Sequence, residues 1–203
     1  MNRILPAAIV MLALAPAVPS GEAISKQDRD AVVKYLTTTR DQVVAETEKL
    51  SDAQWNFKAG PDRWSVGEVV EHLALAENFL AEARQKAMDG PPATAEQLAK
   101  AKGQDAVILK AIPDRTQKVQ APEPIQPKQR LGPREKVAAA YRNRRANTIA
   151  YAQKSTDDMR SRVSESPLGP LDAYQWLLFT AAHNERHLGQ IREVKADPKF
   201  PKS

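Results

Sequence analysis

The chain of 203 residues contains no cysteine. This absence excludes disulfide bonds, thiolate metal ligands, a cysteine nucleophile and a lipoprotein anchor in one step. It is also compatible with an oxidising compartment, where an unpaired thiol would be a liability.

Segments that alternate apolar and polar residues, the pattern typical of half-buried strands, are almost absent. Alanine, lysine, glutamate, glutamine and leucine are abundant instead, and these residues favour helices. We therefore predict an all-α fold with no sheet. After a short leader, the remaining length suits one domain, which we place at residues 24–203.

The first residues are typical of an export signal. Met1–Arg3 is a short positive start, Ile4–Val18 is apolar but interrupted by prolines, and small residues follow up to Ala23. We predict a signal peptide over residues 1–23 and a periplasmic or secreted protein. The apolar stretch is short and proline-broken for a bilayer span, so no stable membrane insertion is expected after cleavage. An uncleaved signal anchor is the alternative.

The formal net charge is +5, and much of the basic density lies between Arg134 and Arg145. That stretch has helical spacing, with Val137 and Tyr141 on one side and the charges on another. We interpret it as a solvated helix face rather than a nucleic-acid patch, so no nucleic-acid partner is expected. The expected partner is a small-molecule substrate of unknown identity.

Apolar residues at helical spacing predict four long helices, at about residues 25–50, 65–88, 133–163 and 171–195. The second has the clearest start, because Ser65-Val66-Gly67-Glu68 matches a capping box. The segment from Leu50 to Trp55 is predicted to be a loop. Between the second and third long helices the chain is rich in proline, so a short helix near 95–111 and a long crossover are expected there.

Histidine occurs three times, at His72, His183 and His187. The last two are four residues apart and share one face of a helix, so both can point at the same cation. The capping box places His72 on the inward face of another helix, beside Leu73. Together the three imidazoles could form a facial set for a divalent ion. Histidines that only belong to the core or the surface are the alternative.

The polar neighbours of these histidines leave several roles open. The pattern is not that of the zincins, because the position of their general base is occupied by Asn184, and Glu185 projects to the far side of the helix. Glu68, one turn before His72, is the candidate catalytic residue, either orienting a ligand or carrying a proton. Its capping role competes with this function.

Gln190 could bond a substrate or a neighbouring helix. Trp176 and Phe179 precede His183 on its face and predict an aromatic-walled groove.

Three neutral imidazoles would leave an ion its full charge and an open position, which acidifies bound water or holds a thiol as thiolate. Zinc fits this ligand type best, while nickel, iron and manganese are alternatives and intrinsic affinity favours copper where it is free. We expect a metal-dependent hydrolase or a thiol-type transferase. A metal-bearing binding protein without catalysis and a purely structural bundle are the alternatives.

Two segments, Arg63–Leu73 and His183–Ile191, closely resemble the DinB-like (YfiT-like) superfamily of metal-dependent proteins, and the resemblance extends over nearly all of the chain after the leader. It implies a four-helix bundle with an up-down-down-up arrangement, and a divalent ion held by His72, His183 and His187. Characterised relatives include S-transferases and isomerases that use low-molecular-weight thiols, and members often form homodimers. Those thiols are chiefly cytoplasmic, so the predicted export of this chain counts against the transferase hypothesis.

Overall fold

The computed structural model describes residues 24–202, and the predicted signal peptide lies outside that part of the chain. The elements in chain order are α1 Lys26–Thr47, α2 Asp52–Asn56, α3 Val66–Asp89, α4 Ala95–Ala101, α5 Gln104–Ala111, a 3-10 helix Glu123–Ile125, α6 Arg134–Lys154, β1 Val163–Ser164, β2 Leu171–Asp172 and α7 Ala173–Lys195. Across these residues, every helix is too short or too polar to span a bilayer.

Three of the four long helices, α1, α3 and α7, begin where side chains satisfy their first amides. Ser65 Oγ accepts a hydrogen bond from Glu68 N at 3.2 Å, and Glu68 Oε2 accepts one from Ser65 N at 2.7 Å. This confirms the capping box at the start of α3. Asp172 and Gln175 make the same reciprocal pair at the start of α7, and Ser25 caps α1. Each cap satisfies amides that would otherwise lack a partner.

Helices α1 and α7 run parallel to each other. Near their first turns, Tyr174 Oη donates to Asp28 O at 3.1 Å, and near their last turns Arg192 Nε donates to Glu46 Oε1 at 3.0 Å. Helices α3 and α6 are also parallel, because Arg144 Nη1 donates to Ala74 O at 2.8 Å and, about one turn further along both helices, Thr148 Oγ1 donates to Glu77 Oε2 at 2.9 Å.

The two parallel pairs run in opposite directions. Asn184 of α7 contacts Glu77 of α3. About one turn later in α7, His187 contacts His72, which comes earlier in α3 than Glu77, so the two helices are antiparallel. The order α1, α3, α6, α7 is therefore up-down-down-up, which confirms the predicted all-α bundle.

The crossover between α3 and α6 follows from their parallel orientation. Helix α3 has 24 residues and is therefore about 36 Å long, so the chain must return by that distance before α6 starts. The single short helix predicted near 95–111 is two helices, because Gly103 adopts φ +86° between α4 and α5. Only a residue without a Cβ takes this left-handed conformation freely.

The later part of the crossover is fastened to α3 by a buried carboxylate. Glu71 is 3% exposed, and its two oxygens accept hydrogen bonds from Gln129 N at 3.0 Å and Leu131 N at 3.1 Å. Gln129 has φ +57°, the left-handed conformation that turns the chain there. These bonds hold the nearby 3-10 helix against α3.

Three further expectations from the sequence about secondary structure are wrong. A small antiparallel ladder exists, with Val163 opposite Asp172 and Ser164 opposite Leu171. Helix α6 ends at Lys154 rather than near 163, because the residues after Ser155 form local bonds, among them Asp157 N to Ser155 Oγ at 3.0 Å, that compete with the helix. The predicted loop before Trp55 is the short helix α2, which has its own capping box at Ser51.

The bundle interior consists of two apolar clusters separated by a polar layer. One cluster includes Leu36 and Leu80, and the other includes Val43 and Leu73. Between them lie buried polar side chains from all four long helices: Thr39, Glu77, Arg145, Thr148, Thr180 and Asn184.

An ion pair forms the centre of the polar layer. Arg145 Nη2 lies 2.9 Å from Glu77 Oε1, and both side chains are almost completely buried. The solvated-face interpretation of the basic stretch holds for Arg142, which is exposed, but is wrong for Arg145. The hydrophobic spacing of Val137 and Tyr141 puts Arg145 on the same inward face, one turn after Tyr141.

Gly67 packs directly against the indole of Trp55. A Cβ at position 67 would lie 2.2 Å from Trp55 Nε1. We expect Gly67→Ala to lower the free energy of unfolding by about 1 to 3 kcal/mol, because the clash exceeds the gain in helix propensity. Gly189→Ala in α7 is the matched control, since its Cβ would meet only the flexible Arg115 side chain at 3.0 Å. Equal urea midpoints for the two variants would contradict the expectation.

Candidate metal centre

The three histidines converge at the interface of α3 and α7, towards the first turn of α3. The Nε2 atom of His72 lies 3.1 Å from Nε2 of His187 and 3.2 Å from Nε2 of His183. The remaining pair, His183 and His187, is 3.2 Å apart at the same atoms. Three nitrogens from residues up to 115 positions apart therefore form one compact triangle.

The other ring nitrogen of two histidines is held by a hydrogen bond. His72 Nδ1 is 2.7 Å from Ile125 O, and His187 Nδ1 is 2.8 Å from Gln190 Oε1. A carbonyl oxygen only accepts, so Nδ1 of each of these histidines carries the proton. Their Nε2 atoms are consequently unprotonated, and each presents a lone pair to the centre of the triangle.

This triangle fits a divalent cation. Lone pairs that face each other at 3.1 Å repel unless a positive charge lies between them. Ligand nitrogens about 2.0 to 2.1 Å from a tetrahedral zinc lie about 3.3 to 3.4 Å from one another, close to the distances here. The bonds from Ile125 and Gln190 are those that orient metal-ligating imidazoles in proteins. The donor set and its support are thus those of a divalent-metal site.

Burial keeps these imidazoles neutral. His72 is 1% exposed, and desolvation lowers its pKa to about 4, with the Ile125 bond opposing the shift. Desolvation also lowers the pKa of His183 and of His187 well below the usual range. Neutral imidazole is the form that binds metals, so the ligands are ready at neutral pH.

Aromatic rings flank the triangle on two sides. Trp64 lies 4.9 Å from His72 and 6.2 Å from His187, measured between ring centroids. On the other side, Phe179 stacks on His183 with centroids 6.4 Å apart, and Trp176 lies behind it. His183 is the only one of the three histidines that is partly exposed, and its Nδ1 has no partner within residues 24–202. The predicted aromatic wall is present, and Trp64 was missed.

The other predicted site residues, Gln190, Glu185 and Glu68, each form defined hydrogen bonds. Gln190 bonds His187 rather than a neighbouring helix. Glu185 is exposed and accepts a hydrogen bond from Tyr35 Oη. Glu68 has both carboxylate oxygens engaged, Oε2 by Ser65 N and Oε1 by Lys58 Nζ at 2.9 Å. Its capping role is therefore present, and its catalytic role stays a prediction.

The sequence that forms this site and the bundle around it matches a known family. A family model described as the DinB superfamily matches residues 35–191. The chain belongs to the DinB superfamily. The matched range contains all three histidines, the whole of α3 and α6 and most of α1 and α7, so the resemblance carried by residues 63–73 and 183–191 is confirmed.

Two proteins of Bacillus subtilis are similar to this chain at low sequence identity. The uncharacterized protein YuaE of Bacillus subtilis (strain 168) is 26% identical over 163 residues, which cover 74% of this chain and 88% of YuaE. The solved structure of YfiT from Bacillus subtilis aligns with a TM-score of 0.56 and 17% identity, covering 86% of this chain and 89% of YfiT. YfiT is described as a probable metal-dependent hydrolase with an unusual four-helix bundle topology. At this identity the likeness establishes the shared fold.

Proposed function

We propose that this protein is an exported hydrolase that depends on a divalent ion, most simply zinc, held by His72, His183 and His187. The supporting observation is the triangle of Nε2 atoms, in which the nitrogens of His72 and His187 are held unprotonated, with their lone pairs available to bind the ion. When bound in such a site, a divalent ion lowers the pKa of a water ligand towards neutrality and polarises a substrate carbonyl.

The residues of the chain would orient the ion and shape access to it. Ile125 and Gln190 hold two ligand rings in place, so substrate approach does not require the ligands to reorganise. His183 is the partly exposed ligand, and the approach to the ion therefore lies on its side. Trp64 and Phe179 would contact an apolar part of the substrate and exclude water around the reacting bond.

Export is proposed on separate grounds. The positive start, the apolar stretch and the small residues before Ile24 support a cleaved signal peptide, and the lack of cysteine suits the periplasm or the exterior. Cytoplasmic thiol cosubstrates would be scarce there. Hydrolysis, which needs only water as the second substrate, is therefore favoured over thiol transfer.

The test combines metal analysis with a substrate panel. The mature chain, purified without a histidine tag, is loaded with zinc, nickel or manganese and assayed on carboxylic esters, amides and phosphate esters. Parallel reactions contain a thiol and an electrophilic acceptor. We expect about one metal per chain and turnover that a chelator and His183→Ala abolish. Glu68→Gln isolates the proton-carrier role, because glutamine keeps the capping box while the charge is lost.

Each result has one interpretation. Turnover only in the thiol reactions would identify a transferase, and stoichiometric metal without turnover on any class would leave a metal-bearing binding protein. Metal in neither the native protein nor the reconstituted protein would overturn the proposal. Lys110→Ala, at an exposed position of α5, serves as the control variant and is expected to behave like the native chain.

A further inference from the structure

A polar cavity, which none of the three histidines lines, lies between α3 and α6. Its volume is about 240 Å³, enough for a small polyatomic ion with several waters. Helix α3 contributes Asn78, Ala81 and Arg84 to its lining, and α6 contributes Arg144 and Asn147. The small side chain of Ala81 leaves the space open.

Two arginines bring positive charge to this cavity. Arg84 stacks its guanidinium on Tyr151, with Cζ 3.8 Å from the ring centroid, and its Nε is buried without a partner in the described part of the chain. Arg144 donates from Nη1 to Ala74 O at 2.8 Å, which holds its guanidinium half-buried beside α3. A buried N–H donor without an acceptor costs free energy, and a ligand oxygen at this point would recover it.

The one carboxylate that lines the cavity is already neutralised. Glu77 accepts from Thr148 Oγ1 at 2.9 Å and from Asn184 Nδ2 at 3.3 Å, and it forms the ion pair with Arg145. Since Arg145 balances Glu77, the charges of Arg84 and Arg144 are in excess at this place. Besides Glu77, the acidic group that acts on Arg84 is Asp157, whose Oδ2 accepts a hydrogen bond from the Tyr151 hydroxyl at 2.7 Å.

We infer that this cavity binds one oxyanionic group, a phosphate, sulfate or carboxylate, between Arg84 and Arg144. Planar guanidinium groups form paired, charge-assisted hydrogen bonds with such groups. The exposed amides of Asn78 and Asn147 can donate further bonds at the rim. The site is independent of the proposed hydrolysis, since its residues do not contact the histidine triangle directly.

The test is calorimetric titration of the full chain with inorganic phosphate, and separately with glycerol phosphate and acetate, at constant ionic strength set with chloride. Each titration is repeated after chelation, so that an anion bound to a metal at the histidines is distinguished. We expect saturable binding at one site per chain that persists after chelation. Equal affinity for phosphate and glycerol phosphate would indicate a ligand's phosphate group, and preference for phosphate a free ion.

Three variants locate the binding, and a fourth is the control. Arg84→Gln and Arg144→Gln should each weaken the affinity at least about tenfold, the usual effect of losing a charge-assisted bond. Ala81→Leu should abolish binding by filling the cavity without a change of charge. Because it keeps both arginines, it tests the site even if an arginine variant fails to fold. Arg142 is exposed on α6, the helix that carries Arg144, and Arg142→Gln should bind like the native chain. Absence of saturable binding for every oxyanion, or equal binding in all variants, would overturn the inference.

Discussion

Replacing His187 with alanine is expected to remove stoichiometric metal from the purified protein and to lower its melting temperature together. An ion present at about 100 times its dissociation constant stabilises the native state by roughly 2.7 kcal/mol. For a domain of this size, the corresponding loss is about 5 to 10 °C. His72→Ala should give the same result, because each histidine supplies one corner of the Nε2 triangle.

The control for this prediction is the same pair of melting curves in excess chelator. Without the ion, the native chain and His187→Ala should melt at nearly the same temperature, since the difference arises from the bound metal. Gln190→Leu is a graded variant: the ligand stays, but its orienting bond at 2.8 Å is lost. Its metal affinity should fall by about 10- to 100-fold. Full metal content in both alanine variants would end the site hypothesis.

Arg145→Met is expected to destabilise the bundle by about 3 to 5 kcal/mol, measured as the free energy of unfolding in urea. The substitution keeps much of the side-chain volume but leaves the Glu77 carboxylate buried without its cation. The cost is that of an uncompensated charge in a low-dielectric interior. Arg142→Met on the same helix changes an exposed charge and should shift stability by less than about 0.5 kcal/mol.

The double variant Glu77→Met with Arg145→Met distinguishes a charge effect from a packing effect. Removing both charges leaves no unpaired ion, so the double variant should be more stable than Arg145→Met alone. Such non-additivity is typical of residues in direct contact. A double variant that loses the sum of the two single losses would show that packing, rather than the ion pair, stabilises this layer.

Local chemistry made much of the fold predictable. The capping box at Ser65 and the inward phase of His72 depend on residues within one or two turns, and both are as expected. The long crossover followed from a proline-rich segment between two strong helices. Local hydrogen bonds also explain two wrong predictions. A capping box starts the missed helix α2, and a side-chain bond that competes with the helix accompanies the early end of α6, although the hydrophobic pattern predicted otherwise.

Long-range contacts could not be inferred in this way. Ile125 is 53 residues from His72, and the Glu71 bonds to the crossover help to bring its carbonyl to the imidazole. Trp64 stacks on His187 because α3 and α7 are antiparallel neighbours. Arg145 belongs to a basic run whose composition suggested a solvated face, yet its partner Glu77 lies on another helix.

The chain by itself therefore specifies which histidines share a face, where the helices begin and which family the fold resembles, since caps and helical periodicity act over a few residues. Which protons the imidazoles carry, which rings flank them and which charges pair inside the bundle depend on the packing of distant helices. Hydrogen bonds and ion pairs act over about 3 Å, and only the tertiary structure brings such atoms within that distance.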